Sequence, residues 1–154
     1  MKIKTEQMIK CIIYFSVQDL AVTLGCPLKG CIVTLRSSQG KYVEAALAGL
    51  LLVNAQEMTE RAKWYIFCQT VNEVNLKSKV SGKYLKADPN TGTLTHRPVS
   101  AGGLETFTVS DLSNGNYALE TYHGKYLRIV SNVGLIGNGE SIDQAEPFQI
   151  NVCK

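Results

Sequence analysis

The sequence of 154 residues has few of the features that indicate a membrane protein, a nucleic-acid-binding protein or a metalloprotein. No apolar run approaches the roughly 20 residues that a membrane-spanning helix needs, which excludes an integral membrane segment. Sixteen basic and thirteen acidic side chains leave a net charge of +3, which is too small to indicate a nucleic acid partner. With two histidines and no Cys-x-x-Cys pair, the sequence predicts no metal site and no cofactor.

Proline is also scarce, with four residues, whereas thirteen glycines predict many tight turns. The 45% of apolar and 19% of charged residues are typical of a chain with a packed core rather than a disordered one. An odd, unclustered set of cysteines is typical of buried thiols in a reducing compartment. Those cysteines are Cys11, Cys26, Cys31, Cys68 and Cys153.

One tripeptide, Gly-Lys-Tyr, recurs three times at intervals of 42 residues. Its glycines and tyrosines are Gly40, Gly82, Gly124, Tyr42, Tyr84 and Tyr126. An aromatic residue follows each tyrosine after 22 or 23 residues, at Trp64, Phe107 and Phe148. A leucine precedes each tyrosine in an apolar or alternating segment typical of a half-buried strand. Self-similarity at a fixed period is the signature of a fold built from repeated units.

The sequence predicts four short strands in each repeat. The glycine supplies the positive φ of a hairpin turn, and the tyrosine begins the strand that follows the turn. One such unit cannot bury its own apolar face, whereas three can close around a common core. The sequence therefore predicts an all-β protein with a β-trefoil fold, in which six strands form a barrel and six form hairpins that cap one end. The repeat motif is interpreted as structural, with the glycines in turns, the tyrosines and leucines in packing, and Trp64, Phe107 and Phe148 in the barrel interior.

Residues 29–154 hold the predicted β-trefoil domain, and residues 1–28 lie outside the repeat as an N-terminal extension. The apolar segment 8–17 has lysines before it, which is one mark of a signal peptide, but it is short and no small-residue cleavage site follows. We expect an added strand or short helix on the barrel, or an arm, rather than a secretion signal. Cys31 and Cys153 lie at the two ends of the repeated region, so we expect them to be close together without a disulfide.

The second and third repeats resemble those of the fascin-like β-trefoil family. The matching segments are VNLKSKVSGKYLKADPNTGTLTHRP...LETFTV and YALETYHGKYLRIVSNVGLIGNGE...AEPFQI. Both contain a strand with leucine, then Gly-Lys-Tyr-Leu, then a glycine and finally Glu-x-Phe. The first repeat departs from this pattern, because Ala46-Leu47-Ala48 stands where a polar turn is usual and no glutamate precedes Trp64. Its apolar segment 47–53 is either core or a patch that the N-terminal extension covers.

Fascins bundle actin filaments with four tandem trefoils, whereas this chain has one. The resemblance implies an actin-binding module of the cytoplasm and cytoskeleton. Because a filament surface is acidic, the candidate contacts are basic side chains, and binding should weaken with salt. The strongest candidates lie within ten residues of each other, at Lys77, Lys79, Lys83 and Lys86, and further candidates at related positions are Lys41, Lys125 and Arg128.

A carbohydrate-binding β-trefoil lectin is the alternative, although the Gln-x-Trp pattern of ricin-type lectins is absent. An enzyme is not expected. His96 and His123 stand in turn-like contexts 27 residues apart, and no spacing suggests a Ser-His-Asp or Cys-His arrangement. The segment Gly137-Asn138-Gly139 is interpreted as a turn rather than a phosphate-binding loop, because no helix pattern follows it.

Overall fold

The computed structural model describes residues 31–70, 72–131 and 134–153, and short antiparallel strands make up half of this part of the chain. The strands are β1 (Cys31–Arg36), β2 (Tyr42–Ala45), β3 (Leu51–Ala55), β4 (Trp64–Cys68), β5 (Glu73–Ser78), β6 (Leu85–Ala87), β7 (Leu94–His96), β8 (Phe107–Ser113), β9 (Asn116–Glu120), β10 (Tyr126–Val130), β11 (Gly134–Gly139) and β12 (Phe148–Val152). Short 3-10 helices span Leu47–Gly49, Glu60–Ala62, Gly103–Glu105 and Ile142–Gln144. No helix in the described ranges is long and apolar enough to cross a membrane.

Six of the strands form a closed barrel. Strand β1 pairs with β4, β4 with β5, β5 with β8 and β8 with β9. Strand β12 completes the ring, because it pairs with both β9 and β1. The other six strands form the hairpins β2–β3, β6–β7 and β10–β11, one from each repeat. The predicted β-trefoil, a six-stranded barrel with three hairpins, is confirmed.

The repeated aromatic residues lie at the start of the fourth strand of each unit and fill the core. Trp64, Phe107 and Phe148 are fully buried, as are the repeated leucines of the first strands, Leu35, Leu76 and Leu119. Alternate residues of a strand point to opposite faces, so one side of every barrel strand supplies core side chains. The indole of Trp64 also donates a hydrogen bond from Nε1 to the carbonyl oxygen of Val43 at 3.1 Å, which ties β4 to the first hairpin.

The Gly-Lys-Tyr turns form where the sequence predicts them, and Gly40, Gly82 and Gly124 all have positive φ. A buried hydroxyl supports each turn, which the sequence analysis did not identify. Ser37 and Thr121 each accept hydrogen bonds from two backbone N–H groups of the turn that follows, at 3.1 to 3.3 Å. The turn of the second unit is one residue longer, and Ser78 and Ser81 divide this role there.

The tyrosines of the three motifs are half-buried at the barrel rim rather than in the core. The guanidinium of Arg36 lies 5.4 Å from the centre of the Tyr42 ring, a cation–π contact. The equivalent position in the third unit is Glu120, and there desolvation and this carboxylate raise the pKa of Tyr126. The tyrosines thus pack against different charges in different units, and their structural role stays a prediction.

The apolar segment of the first unit divides between core and surface, because Val53 is buried in the core and Leu51 packs against it. Leu47 is 74% exposed, and Leu50 and Leu52 are exposed as well. Of the two interpretations of this segment, burial in the core is therefore confirmed for Val53 and wrong for the three exposed leucines. The other interpretation, a cover formed by the N-terminal extension 1–28, lies outside the described residues, as does the boundary of that extension with the trefoil.

The glycines of β11 contribute to a close contact between units. Gly137, interpreted from sequence as part of a turn, lies inside β11, so that interpretation is wrong. Its backbone N–H donates to the carbonyl oxygen of Gly92 at 2.7 Å, and an isolated bridge joins Thr93 to Ile136 beside it. Gly92 has φ +78°, and a Cβ at this position would meet the Gly137 oxygen at 2.5 Å. The cap hairpins of units two and three therefore approach each other through two residues without side chains.

The ends of the described chain meet in the barrel, as expected for Cys31 and Cys153. The backbone N–H of Cys153 donates to the carbonyl oxygen of Ile32 at 2.8 Å. Cys153 thus lies beside Ile32, and successive residues of a strand point to opposite faces of the sheet, so Ile32 and its neighbour Cys31 face opposite ways. Cys31 therefore faces the core, whereas Cys153 faces outward beside Met58. Both side chains are thiols, and opposite orientation explains the lack of a bridge between them. Cys68, however, is disulfide-bonded, so the interpretation of every cysteine as a thiol is wrong.

We expect iodoacetamide to modify Cys153 in the native protein well before Cys31. Burial raises the pKa of the Cys31 thiol to about 12 and leaves almost none of its surface open to reagent. Burial also raises the pKa of Cys153, but this side chain is half-exposed. Because the thiolate is the reacting species, peptide mass spectrometry after a short reaction at mildly alkaline pH should find the label on Cys153. Equal labelling of both residues before denaturation would contradict the orientations described above.

Candidate functional site

Two adjoining depressions lie where the first unit meets the second. The larger, which we call the groove, has a volume of about 590 Å³ and lies between the 3-10 helix Leu47–Gly49 and the turn that includes Val80, Ser81 and Lys83. The smaller, which we call the side pocket, has a volume of about 390 Å³ and lies over the β6–β7 hairpin. Arg97 lines both and forms the wall between them.

His96 holds the two sides of the groove together. It lies in β7 and is 6% exposed, so its interpretation as a turn residue is wrong. Its Nε2 is 2.7 Å from the carbonyl oxygen of Ala46, and its Nδ1 is 3.0 Å from Oγ of Ser81. A carbonyl oxygen can only accept, so Nε2 carries the proton and Nδ1 accepts from the serine hydroxyl in the neutral ring. The imidazole thereby links the first-unit loop to the second-unit turn.

The pair Ser81 and His96 resembles part of a catalytic triad, although the spacing of 15 residues gave no sign of it. In a triad the second ring nitrogen bonds to a carboxylate, whereas here it bonds to a backbone carbonyl. His123 lies in an exposed turn, as expected, against the ring of Tyr122 at 5.6 Å. No three His, Cys, Asp or Glu side chains group as metal ligands within the described ranges. The absence of catalysis and of a metal site stays a prediction.

Positive charge dominates the two depressions. Arg61, Lys83 and Arg97 line the groove, and Lys86 lines the side pocket. Arg97 is fixed in place, because its Nη2 donates to the carbonyl oxygen of Ala48 at 3.0 Å. Asp88 is the one carboxylate among the described residues that line either depression.

The carboxylate of Asp88 accepts hydrogen bonds within its own turn. Its Oδ1 accepts hydrogen bonds from the backbone N–H groups of Asn90 and Thr91, both at 2.8 Å. These hydrogen bonds, that of Thr91 first, lower the pKa of Asp88. The acid therefore stabilises a loop of the second unit and lies apart from the groove.

The four lysines of the predicted second-unit cluster have different contacts in the structure. Lys77 lies over the ring of Tyr84, with Nζ 5.5 Å from its centre. Lys79 pairs with Glu60 at 2.8 Å, and Lys63 pairs with the same carboxylate at 2.6 Å. Hydrogen bonds from Lys63 and then Lys79 lower the pKa of Glu60 to about 2. Glu60 therefore compensates part of the charge that Lys63 and Lys79 share, and the structure brings only Lys83 and Lys86 of the predicted cluster to the depressions.

The other predicted cations lie on the first and third units and do not join the groove. Lys41 follows Gly40 in the first-unit turn. Lys125 occupies the same place in the third unit and pairs with Glu140 at 2.7 Å. Arg128 in β10 donates from Nε to Asn138 at 2.7 Å. These side chains are equivalent by repeat, but the barrel carries them on separate hairpins.

Two arginines of the groove were missed by the sequence analysis. Arg61 lies in a 3-10 helix, three residues before Trp64, and the residues three before Phe107 and Phe148 are Leu104 and Ala145. Arg97 follows β7 directly, and β7 pairs with β6, the strand of Lys86. An alignment of the three repeats shows a cation at the first of these positions only in the first unit, and this is the signal that could have identified it.

A third depression, of about 510 Å³, lies between the first-unit turn and the third unit, and its lining is mostly polar. Arg36, Gln39, Asn116 and Gln149 contribute side chains to it. Ser38 at its edge donates from both its backbone N–H and its hydroxyl to Glu146, at 2.7 and 2.8 Å. The glutamate of the Glu-x-Phe motif in the third unit thus fixes the turn of the first unit.

Comparison with known proteins supports the architecture. No family model matches the sequence, and no curated protein matches it. Among solved structures, the crystal structure of a designed 3-fold symmetric protein, ThreeFoil, is similar at a TM-score of 0.68. The two share 18% sequence identity over 78% of this chain and 97% of that chain. At this identity the likeness shows the fold alone, and the chain is a β-trefoil.

Proposed function

We propose that this protein is a non-catalytic, fascin-like module that binds actin filaments in the cytoplasm. The concentration of Arg61, Lys83, Lys86 and Arg97 around two adjoining depressions, with one carboxylate that is held in its own turn, carries the proposal. The resemblance of the second and third repeats to fascin repeats supplies the partner. An acidic filament surface is the electrostatic complement of this face.

The contribution of each cation depends on what already neutralises it. Lys79 and Lys125 have carboxylate partners, so a filament would gain little from them. Lys83 and Lys86 have no ion-pair partner among the described residues and lie on one face. Salt screens the attraction between exposed charges over a Debye length of about 10 Å at 0.1 M, and this length shortens as salt rises. Binding should therefore weaken at higher salt.

High-speed cosedimentation with actin filaments tests this function. We expect the wild-type protein to pellet with filaments at low salt and much less at high salt. The double variant Lys83→Glu with Lys86→Glu should bind at least about tenfold more weakly, because it places like charges against the filament. For a charge-matched comparison, Lys83→Glu alone should weaken pelleting, whereas Lys125→Glu, the same charge reversal at the equivalent turn of the third unit, should pellet like the wild type.

Two results would contradict this function. If the wild-type protein stays in the supernatant at low salt, actin is not its partner. If Lys125→Glu weakens pelleting as much as the double variant, net charge rather than this face governs binding. Circular dichroism of each variant confirms that the fold is retained.

Glycan binding is the second candidate. Arginine, asparagine and glutamine side chains, such as those that line the third depression, are suited to the hydroxyl groups of a sugar. The disulfide at Cys68 also favours an oxidising compartment, where secreted lectins occur. If the protein does not pellet with filaments, a glycan array probed with it would test this alternative. The absence of any bound glycan would contradict glycan binding.

A further inference from the structure

The groove joins its positive charge to exposed aliphatic side chains. Leu47, on the first-unit loop, is 74% exposed, and Val80, on the opposite turn, is 50% exposed. Both line the groove. Large aliphatic side chains exposed at the two sides of one concave surface are typical of interaction sites rather than of solvated loops.

The repeat provides an internal comparison for the first-unit loop. At the same place the second unit has a turn that Asp88 closes by accepting hydrogen bonds from two backbone N–H groups. The first-unit helix Leu47–Gly49 has no side-chain hydrogen bond at its N-cap, Ala46. His96 and Arg97 of the second unit hold this loop instead, through its backbone carbonyls. Leu47 is thus not needed to hold the loop in place.

The charges of the groove complete the pattern. Arg61, Lys83 and Arg97 surround the aliphatic side chains, and no carboxylate lies among the described residues that line the groove. A partner complementary to this surface carries carboxylates together with aliphatic side chains. An open groove of about 590 Å³ has room for a short stretch of extended peptide.

We propose that the groove binds a short acidic peptide segment of a partner protein, with an aliphatic side chain of that segment between Leu47 and Val80. The carboxylates of the segment pair with Arg61, Lys83 and Arg97. This deepens the function proposed above and rests on it, since both take this face to bind an acidic protein. It adds that the contact is partly apolar, so its affinity should fall less with rising salt concentration than the affinity of ion pairs alone.

Fluorescence anisotropy with three labelled synthetic peptides tests the proposal on the full chain. The first alternates glutamate and leucine, the second replaces each glutamate with lysine, and the third replaces each leucine with serine. We expect the first to bind and the second not to bind. The third should bind about tenfold more weakly than the first, since it lacks the aliphatic contact.

Variants of this chain separate the two contributions. Leu47→Ser should weaken the glutamate–leucine peptide about tenfold and leave the glutamate–serine peptide unchanged, because it removes only the apolar contact. Val99→Ser is the matched control, since Val99 is equally exposed and does not line the groove. Lys83→Glu should weaken both acidic peptides.

The outcomes distinguish this inference from the actin proposal. Equal binding of the lysine and glutamate peptides, no binding of any peptide, or wild-type affinity in Leu47→Ser would overturn the groove as the peptide site. If the wild type pellets with filaments and Leu47→Ser pellets equally well, the filament proposal stands and this inference fails. If the acidic peptide binds as described and filaments do not, the groove serves another acidic protein and the actin proposal fails.

Discussion

Replacing Trp64 with alanine is expected to lower the free energy of unfolding by about 3–5 kcal/mol. The indole is fully buried at the start of β4, among the side chains that all three units contribute to the core. Its removal leaves a cavity that a closed barrel cannot collapse to fill. The substitution also takes away the donor to the carbonyl oxygen of Val43, which then stays buried without its partner. Urea unfolding followed by circular dichroism measures the change.

Two further variants divide this effect into its parts. Trp64→Phe keeps most of the ring volume and loses the hydrogen bond, so it should cost less than the alanine substitution, about 1–3 kcal/mol. Tyr122→Ala removes an aromatic ring that is 66% exposed and should change stability by no more than about 0.5 kcal/mol. A loss below about 1 kcal/mol for Trp64→Ala would show that the residue is not the core element described here.

Gly92→Ala is expected to destabilise the protein by about 2–5 kcal/mol, the second large effect. A Cβ at this position would lie 2.5 Å from the carbonyl oxygen of Gly137, and that atom belongs to the backbone of β11 and cannot turn aside. The same substitution places an alanine at φ +78°, a left-handed conformation. Separation of the two hairpins to relieve the contact would break the hydrogen bond from Gly137 to Gly92.

Gly82→Ala is the matched control for this substitution. Gly82 also has positive φ, at +69°, but a Cβ there would meet nothing within 4 Å. Its cost should therefore be limited to the backbone conformation, about 1–2 kcal/mol. The difference between the two midpoints of urea unfolding measures the close approach of the hairpins. Equal losses for both variants would mean that the contact between Gly92 and Gly137 is not tight.

The repeat made the fold predictable because its determinants are local or periodic. Gly40, Gly82 and Gly124 set turns within a few residues of themselves, and the aromatic residues mark one face of one strand per unit. Three copies of such a pattern allow few arrangements that bury every apolar face. The order of the strands around the barrel then follows from the order of the units.

The groove could not be predicted in the same way, because it depends on contacts between units. His96 and Ala46 are 50 residues apart in sequence and meet only after the barrel closes. Arg97 acts on the same loop through Ala48 and stands in no local motif. The lysine cluster was apparent as a run in the sequence, but the pairing of Lys79 with Glu60 depends on a loop from the preceding unit.

The pairing of β1 with β12 has a consequence for synthesis on the ribosome. Among the described strands of the barrel, β1 is the first to be made, and one of its two neighbours within the barrel is the last. Until residue 152 has left the exit tunnel, β1 and β9 each present an edge with unpaired backbone groups. Such edges favour pairing with other chains, so nascent copies on one polysome are at risk of joining each other. Pairings this distant also slow folding, so pairing with other chains can compete with closure of the barrel until β12 is in place.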